Sequence, residues 1–110
     1  MINEEGLIGV NKRFDEGIVV NKNSLDFAIS SIQNSKDWVK QLAYLTRALL
    51  IDHIFQEGNK RTAAVLILYF FEEHKVAYDS YKVDKIIVEI ISKNISNVEQ
   101  IRRKLKDAIR

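Results

Sequence analysis

The stretch AAVLILYFFEEHKV, residues 63–76, decides the fold. Between Ala63 and Phe71 the side chains Val65, Leu66, Ile67, Leu68, Phe70 and Phe71 leave almost no polar face, which is how a helix surrounded by other elements reads. The expectation is a central helix with neighbours on several sides. Upstream, Trp38, Leu42, Leu45, Leu49 and His53 recur every three or four residues, predicting an amphipathic helix that starts at a Ser35 cap and ends its buried face on His53. Downstream, Val83, Ile86, Ile87, Ile90 and Ile91 predict another helix. A last one opens with Ser96-Asn97-Val98-Glu99 as a capping box and buries Ile101 and Leu105.

The N-terminal part is less periodic. Ser24 or Asn23 would cap a short helix that buries Leu25, Phe27, Ala28 and Ile32. Before it, the apolar runs Leu7-Ile8-Gly9-Val10 and Ile18-Val19-Val20 flank a polar stretch, predicting a small β-hairpin or an extended flap. The fold class read from the sequence is therefore all-α: a compact helical bundle over residues 22–110, with residues 1–21 as a flap, in one domain of 110 residues.

Composition narrows the function by exclusion. No cysteine is present, which rules out thiol redox chemistry and thiolate zinc sites. No apolar stretch reaches the length of a membrane span, and the acidic start Asn3-Glu4-Glu5-Gly6 is unlike a secretory leader, so the expectation is a cytoplasmic protein. A net charge of +2 is too small to argue for nucleic acid. The basic stretch Ile101-Arg102-Arg103-Lys104-Leu105-Lys106 reads equally well as a solvated face.

The chemistry concentrates at His53-Ile54-Phe55-Gln56-Glu57-Gly58-Asn59-Lys60-Arg61-Thr62. Gly58 stands alone in mid-chain, and Asn59 would cap the central helix, placing Lys60 and Arg61 in its first turn. Cations there oppose the helix dipole at a cost of roughly 0.3–1 kcal/mol each, whereas a bound anion reverses the sign. Free backbone N–H groups, a glycine and two cations make a phosphate site. Glu57 is placed to hold magnesium bridging such phosphates, and His53 to act as a general base. Phe55 reads as the apolar anchor of the loop. Taken singly, each residue also has an ordinary structural reading: His53 ends an apolar stripe, Gly58 and Asn59 are helix caps, and the charged residues are solvated. Their combination within one short run carries the argument. His74, in a charged cluster without partners at ligand spacing, is read as a surface histidine without a role.

This run resembles the Fic/Doc motif HxFx(D/E)GN(G/K)R, and its Asn-Lys-Arg-Thr ending is similar to the Doc (death-on-curing) branch. The resemblance implies that His53 deprotonates a hydroxyl on a target protein, that Glu57 binds Mg2+, and that Gly58, Asn59, Lys60 and Arg61 cradle the phosphates of ATP. It also implies a flap that aligns the target chain. Most members transfer AMP to Ser, Thr or Tyr hydroxyls (AMPylation), whereas Doc-type members phosphorylate the target and are typically toxins held by a partner antitoxin. Three positions depart from the AMP-transferring pattern: Ile54 replaces the usual proline, Lys60 the second glycine, and Ala64 the second arginine. The autoinhibitory signature is also missing, since Glu5-Gly6, Glu16-Gly17 and Glu57-Gly58 are preceded four residues earlier by Met1, Lys12 and His53. The expectation is a protein-modifying transferase, with phosphoryl transfer ahead of AMP transfer and any restraint supplied by a separate antitoxin. Two rivals remain: a catalytically inactive nucleotide-binding or interaction module, and a small helical nucleic-acid-binding protein.

Overall fold

The computed structural model describes residues 2–110, which form α1 (Glu4–Asn11), α2 (Lys22–Gln33), α3 (Trp38–Leu50), α4 (Asn59–Glu73), α5 (Ser80–Ser92) and α6 (Val98–Asp107). Among the described residues there are two isolated β-bridges and no sheet, so the all-α reading holds. α3 packs against α2, α4 and α6, and α4 also meets α1 and α5. Leu42, Leu45, Leu49, Leu66, Ile67 and Phe71 are almost completely buried between them, in one continuous core. α4 is enclosed by its neighbours except along one edge, where Tyr69 is exposed. No described helix is long and apolar enough to cross a membrane.

The N-terminal expectation is corrected. Residues 7–10 do not form a hairpin strand but lie in α1, capped by the Asn3 side chain, which accepts from Gly6 N–H at 2.8 Å. Glu4 and Glu5 in the first turn favour that helix through its dipole. Leu7 is fully buried, so this segment belongs to the core. The second run, Ile18 to Val20, is extended, but its partner is the loop between α3 and α4. Val19 bridges Phe55, Val20 N–H donates to Ile54 O at 2.9 Å, and Gln56 N–H donates to Ile18 O at 2.9 Å.

Helix starts also shift. Asn21, not Asn23 or Ser24, caps α2, while its Nδ2 donates to Asp52 O at 3.1 Å. Asp37 displaces Ser35 as the cap of α3, accepting from Val39 and Lys40 N–H groups. Asn97, one residue after Ser96, caps α6, and Glu99 turns to Arg102 and Arg103 instead of closing a box. Two apolar assignments fail as well: Phe27 is 55% exposed and stands edge-on to Tyr44, and Ile91 is exposed on α5.

Candidate active site

The loop from Ile51 to Gly58 joins the two best-buried helices and is held from three directions. From one side comes the extended segment of residues 18–21. From within, Asn59 folds its side chain back over the loop: its Oδ1 accepts from Phe55 N–H at 3.1 Å and its Nδ2 donates to Phe55 O at 2.9 Å. Phe55 itself is buried, as an anchor should be, and Ile54 beside it is buried too. From below comes Asn11, a fully buried polar residue at the end of α1. Its Nδ2 donates to Glu57 O (2.9 Å) and Thr62 Oγ1 (3.2 Å), and its Oδ1 accepts from Gly17 N–H (2.9 Å).

These bonds set the start of α4. Asn59 is occupied with Phe55, so the cap position falls to Gly58, which has φ +78° and no side chain to offer. The other five helices are each capped by an Asn or Asp side chain. α4 has no side-chain cap, and its first turn carries Lys60 and Arg61 without any acidic residue. Both cations are exposed, and neither forms an ion pair among the described residues. First-turn N–H groups have no partner within their helix, so the site offers donors and positive charge together.

A cleft of about 710 Å³ opens there. The motif contributes Glu57, Gly58, Asn59, Lys60, Arg61 and the nearby Ala64. Phe14 and Asp15 close one side, and Asp84, Ile87 and Val88 of α5 line another. A volume of that size suits a small-molecule ligand. Glu57 and Asp15 supply carboxylates to the same cleft. One or two carboxylates, completed by phosphate oxygens and water, are the donors magnesium takes. No group of three or more His, Asp or Glu side chains suited to hold a metal on protein ligands alone occurs among the described residues. Two carboxylate residues lining one cleft are a donor set that would fit a magnesium ion carried with phosphates.

His53 does not end a buried stripe. α3 stops at Leu50, and His53 follows in the left-handed region, φ 51°, with its side chain exposed. It lies outside the lining of the cleft, on the loop that the 18–21 segment borders. An imidazole so placed is open to a large acceptor. The sequence singled out the motif residues but missed Asn11, Asp15 and the α5 wall. Asn11 was hidden inside the expected hairpin; its one local signal is the four-residue step from Leu7, which puts both on one helical face.

His74 is exposed as expected, yet it is engaged. Its Nδ1 lies 2.8 Å from Phe70 O, and its ring stacks on Trp38 with centroids 4.1 Å apart. The basic face of α6 is largely paired: Arg102 with Asp37 and Glu99, Arg103 with Glu99, and Lys104 with Glu89.

An all-helical scaffold here presents a glycine-led, cation-bearing helix start at a cleft, with an exposed histidine on the loop that precedes it. The model of the Fic/DOC family matches residues 15–71, more than half of the chain, and the protein belongs to that family. No curated protein matches the sequence.

Proposed function

We propose that the protein is a transferase that moves a phosphoryl group from a nucleoside triphosphate to a hydroxyl of a target protein. The observation that carries this reading is the uncapped start of α4, which opens into the cleft beside two unpaired cations while His53 stays accessible on the adjoining loop. The N–H groups of the first turn, with Lys60 and Arg61, bind and orient the phosphates. Glu57, with Asp15 in reach of the same space, would hold Mg2+, which screens phosphate charge and polarises the phosphorus centre when bound. His53 accepts the hydroxyl proton; the hydroxyl oxygen bonds to the γ phosphorus, the bond from that phosphorus to the β,γ-bridging oxygen breaks, and the nucleoside diphosphate leaves.

Lys60 and Ala64 favour γ transfer over AMP transfer, following the Doc-like pattern. None of the Glu-Gly pairs within residues 1–110 carries the autoinhibitory signature, which suits control by a separate antitoxin, and a cytoplasmic target suits a nucleotide-dependent reaction. Incubating a lysate with ATP or GTP labelled at the α or the γ phosphate tests the reading, with His53→Ala as the control. Label from γ alone, lost in the variant, is expected. Label from α means AMP transfer. No label from either position, with nucleotide binding retained, overturns the transferase in favour of a binding module.

A further inference from the structure

The phosphate cradle says nothing about which base the cleft takes; the α5 wall does. That wall lies outside the residues the family model matches. It consists of Ile87, which is buried, Val88, which is exposed, and Asp84, one turn before Val88 on the same helical face. With Ala64 also in the lining, the exposed Val88 side chain, backed by the buried Ile87, offers an apolar surface of the sort a planar base covers. Asp84 is the one polar group on the α5 side. Its lysine neighbours are turned elsewhere: Lys82 reaches Asp107 O at 3.4 Å, and Lys85 lies over the Tyr81 ring, 5.5 Å from its centroid. No ion pair or side-chain hydrogen bond engages the Asp84 carboxylate among the described residues.

An ionised carboxylate only accepts hydrogen bonds. Among the common bases, guanine alone presents two adjacent donors, N1–H and the 2-amino group, which match the two carboxylate oxygens. Adenine sets its 6-amino donor beside the N1 lone pair, cytosine its 4-amino donor beside the N3 lone pair, and uracil its N3–H between two carbonyls. Each of these puts an acceptor against the second oxygen. We infer that Asp84 makes the cleft selective for a guanine nucleotide; the inference rests on the nucleotide reading of the same site.

Titration calorimetry with Mg2+ and non-hydrolysable analogues of GTP, ATP, ITP and XTP tests it on the full chain. The protein should bind the GTP analogue about tenfold or more tighter than the ATP analogue, the discrimination of one good bidentate pair. The ITP analogue, which lacks the 2-amino group, should fall between them. Asp84→Ala should abolish the difference without lowering Tm, because the side chain is exposed. Asp84→Asn turns an amide N–H toward the position that is an amine in guanine and a carbonyl in xanthine, so the ratio of XTP to GTP affinity should rise. Equal binding of the GTP and ATP analogues, or preference for ATP, overturns the role of Asp84 and leaves the nucleotide site standing. Binding of none of the four overturns both.

Discussion

Gly58 would place a Cβ 2.9 Å from Asn11 Nδ2 and 3.4 Å from Asp15 Cβ, on a backbone with φ +78° that side chains resist. The strained backbone and the contact with a buried, fully bonded amide act together. Gly58→Ala should therefore cost about 1–3 kcal/mol in urea unfolding, the range for a residue forced into the left-handed region, and should weaken nucleotide binding as well. His53 occupies the same region of backbone space with φ 51°. Strain at an exposed residue that packs against nothing in the core is tolerated where the residue is used. Replacing it by glycine should leave Tm unchanged or raised by a few degrees while abolishing transfer; a clear fall in Tm would mean that the imidazole supports the loop. Lys60→Ala and Arg61→Ala separate function from stability in the same way. Each would lose the proposed charge-assisted contact to phosphate, expected to lower affinity about tenfold or more, while removing a cation from the positive end of α4. Marked destabilisation in both would assign them to the fold.

At the scale of elements, α3 and α6 are tied by a residue with two jobs. Asp37 caps α3 through its Oδ1, and its Oδ2 accepts from Arg102 Nε at 2.8 Å. Burial pushes its carboxyl up, but the Arg102 hydrogen bond and charge, with the Lys40 and Val39 N–H groups, outweigh that and hold it below the usual carboxylate value. A depressed folded value means a stability contribution that is present above the unfolded carboxylate value, about 3.9, and lost as pH falls through the folded one. Asp37→Ala should cost about 1 kcal/mol at pH 7, mostly from the cap, with Asp37→Asn milder. The stability gap between the protein and Arg102→Leu should be full at pH 5 to 7 and close toward pH 2. A gap that persists at pH 2 would mean that Arg102 acts by packing. Helices α2 to α6 were legible from their 3.6-residue period, although Phe27, Ile91 and His53 fall off the buried stripes, and α1 was not. The caps were less so. Where several Ser, Asn and Asp residues crowd one junction, as in Asn21-Lys22-Asn23-Ser24 and Ser35-Lys36-Asp37, the choice is made by a distant partner such as Asp52 O or Arg102.

The same limit operates over the whole molecule. The motif stood out in the sequence because its residues are consecutive and break local rules. The cleft was not, because Asp15, Asp84, Ile87 and Val88 meet Gly58 only after folding. Nor was the weight carried by the first seventeen residues, whose short apolar run Leu7 to Val10 imitates a strand. An appended flap would leave a helical core intact when removed. α1 instead packs on α4, buries Leu7 completely and supplies the amide that fixes Glu57 O and Thr62 Oγ1. Losing a fully buried leucine costs about 2–5 kcal/mol, and orphaning groups that Asn11 satisfies adds about 1–3 kcal/mol, against a typical total stability of 5–15 kcal/mol. A chain of residues 18–110 should therefore melt at much lower temperature than the full protein, or not fold cooperatively at all, as followed by circular dichroism. Asn11→Leu should be the milder version: it keeps the α1 contact with α4 and most of the helical signal, loses part of the stability, and weakens nucleotide binding because the start of α4 is no longer held against the loop. If residues 18–110 melt like the full chain and bind nucleotide equally well, α1 is an appendage and the site is built without it.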